Sequence, residues 1–335
     1  MKIGFFEVEL WEKEVLKKAL PKEEIIFSPQ KLTAKTAERY KQLEAIAVFV
    51  HSEINHSVLK QLPKLKLITT MSTGYDHIDL EACKKNKITV CNVPTYGENT
   101  VAEHTFALIL ALSRKIVECV ERTKKGSFEL SGLRGFDLRG KTLGIVGCGN
   151  IGQRVMRMAK GFEMRMLVFD VVKNNNLAKK LGFEYAGLDR LLRESDLVTL
   201  HIPYNQHTHH LIGRKELSQM KKTAYLINTS RGGVVDTDAL VKALQKKEIA
   251  GAGLDVLEDE CEIIEEKQLL TKEFKTKCNL KTLVENHLLL EMKNVIITPH
   301  NAFNTQEALT RILEVTVENI NGFKKGKSIN VVVKK

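Results

Sequence analysis

Several common signals are missing from this chain, and each absence removes a class of function. No run of about 18 apolar residues occurs, and Met1 to Glu7 lacks the basic-then-apolar order of a signal peptide, so neither a membrane span nor export is expected. The cysteines Cys83, Cys91, Cys119, Cys148, Cys261 and Cys278 form no C-x-x-C pair; they read as thiols of a reducing cytoplasm, and zinc is not expected. A net charge of +11 would suit a nucleic-acid partner, but the lysines are scattered and form no single basic block. That pattern reads as a solvated surface with no nucleic-acid footprint, and its positive field favours anionic ligands. No glycine-rich phosphate loop occurs before Pro94. At 335 residues the chain exceeds what one core comfortably serves, so two domains are expected.

What is present begins with an alternation. Apolar runs at Ile3 to Phe6, Glu24 to Phe27, Ala45 to Phe49, Leu65 to Met71 and Ile88 to Val93 are separated by amphipathic stretches such as Trp11 to Leu20 and Ser57 to Leu62. Strand-helix alternation of this kind predicts a parallel sheet covered on both faces. Thr100 to Ser113 reads as a core helix at a domain junction or subunit contact, capped by Asn99 or Thr100. Glu103 and His104 within it point about 100° apart and cannot easily serve one atom, so His104 reads as packed or capping. Gly126 to Arg139 is polar and glycine-rich and reads as the loop leading into a new sheet near Lys141.

There the apolar run Lys141 to Val146 ends in Gly147-x-Gly149-x-x-Gly152 and a helical pattern follows. Glycines at the first two positions let the backbone turn and approach a pyrophosphate, the third lets helix and strand pack, and the helix N-terminus faces the anion. Roughly 20 residues on, the next strand ends at Asp170, where a carboxylate accepts the ribose hydroxyls and repels a 2'-phosphate. The expected cofactor is NAD. Later strands end in polar residues: Asp196 to His201 at Ile202-Pro203, Ala224 to Asn228 at Thr229-Ser230-Arg231, Ala250 to Val256 before Glu260, and Asn294 to Thr298 at Pro299-His300. In a parallel sheet these ends share one edge with the glycine turn. Arg231 there can grip a carboxylate with two hydrogen bonds, and His300 can exchange a proton with a carbonyl oxygen, with Glu260 to orient it. Ser72-Thr73-Gly74 follows the strand Leu65 to Met71, where Gly74 lets successive N-H groups face one anion.

The histidines His207, His209 and His210 lie in one loop with no cysteine or carboxylate at ligand spacing, so no metal is expected. Thr271 to Leu290 reads as loop and short helix. Thr305 to Phe323 carries Leu309, Ile312, Leu313, Thr316, Ile320 and Phe323 at helical spacing.

The four ordered motifs, Gly147-Cys-Gly149-Asn150-Ile151-Gly152 with Asp170, Asn228-Thr229-Ser230-Arg231-Gly232-Gly233, Gly253-Leu-Asp255-Val with Glu260, and Thr298-Pro-His300, resemble the D-isomer-specific 2-hydroxyacid dehydrogenase family over nearly the whole chain. The resemblance implies an α/β fold of two Rossmann-like or flavodoxin-like domains with a cleft between them. Residues 1–99 and 301–335 would form the substrate-binding domain and 100–300 the NAD-binding domain. It implies Arg231 as carboxylate clamp, His300 as acid/base and Glu260 as its partner. Thr73 and Gly74 would give backbone N-H groups to the substrate, and Tyr96 would face it. Cofactor contacts implied besides the three glycines are Asn150, Ile151, Asp170, Ile202, Pro203, Thr208, Thr229, Ser230, Arg231 and Asp255. A C-terminal helix returning to the first domain and a homodimer formed through the helix near Thr100 are further implications.

Asn301-Ala-Phe303-Asn304-Thr305 and the long segment before His300 look more like the D-lactate dehydrogenases, although those often carry an aromatic residue where Asn304 stands. The expectation is a cytoplasmic enzyme reducing a small anionic 2-keto acid, pyruvate first. The alternatives are glycerate, phosphoglycerate or a branched 2-hydroxy acid as substrate, or a non-enzymatic NAD-sensing relative of the transcriptional corepressors.

Overall fold

The computed structural model describes residues 1–259 and 280–333. Glu260, Cys261, Cys278 and the first part of Thr271 to Leu290 lie outside the described residues. The strands in chain order are β1 (Lys2–Phe6), β2 (Glu24–Ser28), β3 (Ala45–Val48), β4 (Leu67–Thr70), β5 (Thr89–Cys91), β6 (Thr142–Val146), β7 (Arg165–Phe169), β8 (Glu184–Tyr185), β9 (Leu197–Leu200), β10 (Tyr225–Asn228), β11 (Gly251–Leu254), β12 (Val295–Ile297) and β13 (Val331–Val333). The helices are α1 (Leu10–Ala19), α2 (His56–Lys60), α3 (Leu80–Lys85), α4 (Glu98–Ser113), α5 (Ile116–Lys124), α6 (Asn150–Gly161), α7 (Asn175–Leu181), α8 (Leu188–Glu194), α9 (Arg214–Gln219), α10 (Thr237–Gln245), α11 (Leu280–Glu291) and α12 (Gln306–Lys324). None among the described residues is long and apolar enough to cross a membrane.

The chain forms two compact units, Met1–Tyr96 with Asn304–Lys335, and Gly97–Phe303. The first holds a sheet of order β13-β5-β4-β3-β1-β2, parallel except for β13, which runs antiparallel to β5. Its parallel strands follow the flavodoxin-like order, with the direction of winding reversing between β1 and β3. Their near-continuous apolar character matches burial on both faces; β3 and β4 are buried at every position. On this sheet lies α12, whose Asn319, fully buried, donates to Thr69 Oγ1 at 3.2 Å and to the Asn92 carbonyl at 2.8 Å. The helical spacing anticipated Ile312, Leu313, Thr316 and Ile320 in its core; Leu309 and Phe323 are only half-buried, while Ala308 and Asn319 are buried instead. Thr305 caps this helix by accepting from Ala308 N.

The second unit holds a parallel sheet of order β12-β11-β10-β9-β6-β7-β8. Winding reverses between β6 and β9, and at such a switch point adjacent loops part and leave room for a ligand. Helix α4 starts earlier than expected, with Gly97 as its N-cap and no side-chain cap; Asn99 instead donates to Glu103. Eight of its sixteen residues are buried, among them Ala102, Phe106, Ile109 and Leu112. It packs on α6, β10 and β11 and therefore belongs to the second unit. Helix α5, with no buried residue, was not anticipated in the sequence, because its apolar face has no core to meet within the described chain.

Candidate active site

All the strand ends singled out in the second unit lie on the carboxyl edge of one parallel sheet. At β6 the glycines divide the work. Gly147 has φ +103°, and a Cβ there would stand 2.3 Å from the His201 carbonyl oxygen. A Cβ on Gly152 would stand 2.1 Å from the Gly147 carbonyl oxygen, which ties the helix to the turn. Gly149 has nothing within 4 Å of the same point, so its surroundings are open where a phosphate would approach. It is the N-cap of α6 and supplies no side-chain cap, leaving the first N-H groups of that helix for an anion. Asp170 accepts from Cys148 N at 2.6 Å and from Val172 N at 2.8 Å, so its carboxylate is anchored against the turn. An open cradle, a bare helix N-terminus and an anchored carboxylate together fit a dinucleotide carrying a free ribose diol.

At β9, Thr208 Oγ1 donates to the Pro203 carbonyl at 2.7 Å and accepts from Asn205 N, folding the loop back on Ile202-Pro203. Asn150, the first residue of α6, donates through Nδ2 to Glu98 of α4 at 2.7 Å. At β10 the buried Asn228 builds the next turn: its Oδ1 accepts from Ser230 N and Oγ, and its Nδ2 donates to the Arg231 carbonyl. Thr229 is buried against Thr105 of α4, their hydroxyls 3.0 Å apart. The half-buried Arg231 donates through one terminal nitrogen to the Ser230 carbonyl at 2.8 Å.

At β11, Asp255 is almost wholly buried and gathers the turn that carries His300. It accepts from Thr298 Oγ1 at 2.5 Å, Asn301 N at 3.0 Å and Ala302 N at 3.0 Å, and His104 Nε2 lies 3.3 Å away. Burial opposes its charge, but the hydrogen bonds from His104, Thr298 and Ala302 outweigh burial and hold its pKa below the ordinary value. His104 also meets Thr298 Oγ1 at 2.9 Å, so the helix histidine is a packed partner of this turn. His300 itself sits at φ +50°, a left-handed backbone uncommon for a residue with a Cβ, with its N-H on the Asp255 and Thr298 carbonyls. Glu260 falls outside the described residues.

In the first unit the loop after β4 is held by its carbonyls. The Ser72 carbonyl accepts from Val93 N at 3.0 Å and the Thr73 carbonyl from Asn92 Nδ2 at 2.8 Å. In a trans peptide the following N-H points the opposite way, so the N-H groups of Thr73 and Gly74 are fixed in direction. The Tyr96 carbonyl accepts from Arg311 Nε of α12 at 2.8 Å.

Residues 106–302 match the family described as D-isomer specific 2-hydroxyacid dehydrogenase, NAD binding domain. The chain belongs to this family. A glyoxylate reductase of Korarchaeum cryptofilum is 38% identical over 325 residues, 96% of this chain and 87% of that protein. A D-lactate dehydrogenase of Escherichia coli is 34% identical over 98% of both chains. Among solved structures, D-lactate dehydrogenase from Aquifex aeolicus complexed with NAD and lactic acid is 40% identical, covering 97% of this chain and 96% of that one with a TM-score of 0.86. The cofactor of this dehydrogenase is NAD, in agreement with the open glycine turn and Asp170.

Three residues that hold candidate site residues within their own units had no role assigned from the sequence. Asn228 stood in a motif without a task, Thr298 looked like a strand end, and Arg311 was one basic residue on an amphipathic helix. A polar residue at the buried end of a strand was the available signal for the first two, since such a group is kept only with partners. Arg311 carried none.

Proposed function

We propose that this dehydrogenase reduces a small 2-keto acid with NADH, and that pyruvate to D-lactate is its reaction. The carrying observation is that Arg231 and His300 stand on one sheet edge with the dinucleotide turn, and that a buried polar residue holds each of their turns: Asn228 at the end of β10 for Arg231, and Asp255 at the end of the neighbouring β11 for the His300 turn after β12. When bound, the nicotinamide supplies the hydride. Arg231 grips the substrate carboxylate, helped by the directed N-H groups of Thr73 and Gly74, and Tyr96 faces the substrate. His300 gives its proton to the carbonyl oxygen as C2 is reduced and recovers it in reverse, and Glu260 orients the ring. With the three glycines, Asp170 and Arg231, the proposed cofactor contacts are Asn150, Ile151, Ile202, Pro203, Thr208, Thr229, Ser230 and Asp255.

Pyruvate is favoured by the likeness, over nearly the full length, to a D-lactate dehydrogenase solved with lactic acid. Glyoxylate is the specific rival, because a glyoxylate reductase is 38% identical over 96% of the chain. One panel decides: NADH oxidation with pyruvate, glyoxylate, hydroxypyruvate and a branched 2-keto acid, read as kcat/KM. Pyruvate should rank first; a higher value for glyoxylate assigns the chain to that reaction, and NADH binding with no turnover of any of them would favour the sensor reading. His300→Gln should lower kcat by about 100-fold or more with NADH binding retained.

A homodimer in the cytoplasm is part of the same proposal. Ile116, Val117 and Val120 of α5, with Phe128 and Leu130 after it, are exposed apolar side chains that a second copy would cover. Cys83, Cys91, Cys119 and Cys148 are free thiols, and burial pushes those of Cys83 and Cys91 up to about 12 and about 11. Light scattering at micromolar concentration tests the dimer.

A further inference from the structure

We propose that His209, His210 and Glu258 form a binding site for one divalent transition-metal ion of the zinc class. The sequence shows the two histidines without a carboxylate at ligand spacing; the fold supplies it from the exit of β11. One ligand atom from each of the three side chains lies within 4.8 Å of the others. On tetrahedral zinc, with bonds of about 2.0–2.2 Å, neighbouring ligand atoms stand about 3.3 Å apart, so small side-chain rotations close the set. His210 Nε2 already meets Glu258 Oε1 at 2.7 Å.

Three features go beyond what an ion pair between His210 and Glu258 would require. The rings of His209 and His210 lie face to face, centroids 3.8 Å apart and 26° from parallel. His210 holds φ +50°, with its N-H on the Gly233 carbonyl at 2.8 Å, a left-handed backbone that turns its side chain beside that of its neighbour. Finally, the groups behind the ligands are in place. Thr237 Oγ1 donates to Glu258 Oε2 at 2.8 Å, Asn286 Nδ2 donates to the Glu258 carbonyl at 2.8 Å, and the Tyr204 hydroxyl lies 3.2 Å from His209 Nδ1. Outer partners of this kind fix ligand orientation in metal sites.

Two imidazole nitrogens and one carboxylate oxygen suit zinc, cobalt, nickel or copper, whereas magnesium and calcium take oxygen shells. Three protein ligands leave a position for water. The ion would link the loop after β9 to the segment after β11, beside Gly232, where a Cβ would stand 2.0 Å from the Leu257 carbonyl carbon. The site requires neither the substrate nor the dinucleotide.

The test is calorimetric titration of Zn²⁺ into the tag-free full chain after chelator treatment, repeated with Co²⁺ and read by visible absorption. One equivalent should bind saturably, with the intense visible bands of tetrahedral cobalt. His209→Ala and His210→Ala should each weaken binding by about 100-fold, and Glu258→Gln and Thr237→Ala by about tenfold. His207→Ala, outside the cluster, should leave affinity unchanged. Zn²⁺ should raise the melting temperature of the wild type and not that of His210→Ala. No saturable binding, wild-type affinity in the three ligand variants, or loss of binding in His207→Ala would overturn the proposal. Because Glu258→Gln and Thr237→Ala change little volume, metal-free melting curves matching the wild type guard against a folding artefact.

Discussion

The turn after β6 and the turn that presents His300 lie on the same sheet edge and are built on opposite plans. The first is made of backbone: three glycines within six residues, two of which, Gly147 and Gly152, have neighbours too close for a Cβ, while Gly149 opens onto free space. The second is made by a side chain: Asp255 reaches residues 43 to 47 positions further on and holds Thr298, Asn301 and Ala302 around His300. A backbone site is local and admits no bulk where its own chain closes on it, at Gly147 and Gly152, whereas a side-chain site is long-range and tolerates no lost charge.

The contrast can be broken at either turn. The largest effect is expected at Gly147→Ala, which must place a Cβ against the His201 carbonyl with φ in the left-handed region; a loss of about 3 kcal/mol or more in urea denaturation, with NADH binding lost, is expected. Retention of wild-type stability would show that the turn is not backbone-limited. Next comes Asp255→Asn, which keeps the shape but cannot serve all its donors; about 2–4 kcal/mol of stability and a fall in kcat larger than any change in NADH affinity are expected. Equal losses in both readouts would mean that Asp255 serves the cofactor no less than the His300 turn.

Acid should separate the two turns more gently. Beside the glycine turn, both ring nitrogens of His201 are sealed from solvent without a partner among the described residues, and this desolvation lowers its pKa from 6.5 to about 3. The unfolded chain therefore binds the extra proton between those values. Stability is full above about 6.5 and falls with pH by up to about 1.4 kcal/mol per unit until near 3. Asp255 is also lowered, from 3.8, so its contribution is full above 3.8 and is lost only as the pH falls through its still lower folded value. Urea midpoints followed from pH 7 to 4 should slope in the wild type and flatten in His201→Phe, while Asp255→Asn keeps the slope. The smallest effect on stability is expected at Gly149→Ala, where nothing lies within 4 Å: under about 0.5 kcal/mol, with NADH affinity reduced because the methyl enters the phosphate approach. A wild-type NADH affinity there would remove the turn from the cofactor's path.

Most strands were legible in the sequence because parallel strands buried on both faces are continuous apolar runs, whereas the two-residue edge strand β8, with no buried residue, was not. The glycine turn was legible for the same local reason. Less was readable where an element owes its place to distant partners. The start of helix α4 is one such place: Gly97 caps it without a side chain and the helix runs from Glu98, whereas the expected cap was Asn99 or Thr100. The antiparallel β13 is a run of three valines whose role depends on β5, some 240 residues earlier in the chain. The loop histidines looked unassisted because Glu258 stands 48 residues from His210.

What the sequence determined by itself is the part governed by local sterics and periodicity: two strand-helix repeats, a glycine turn with Asp170 fitted to NAD, and the order in which Arg231 and His300 follow their strands. Only the tertiary structure decided what surrounds them. Asp255 with Thr298 and His104, Asn228 under Arg231, Arg311 on the Tyr96 carbonyl and Glu258 beside His210 are pairings of groups far apart in the chain. Burial makes those pairings obligatory, because a polar group withdrawn from water must find its partner wherever the fold brings one.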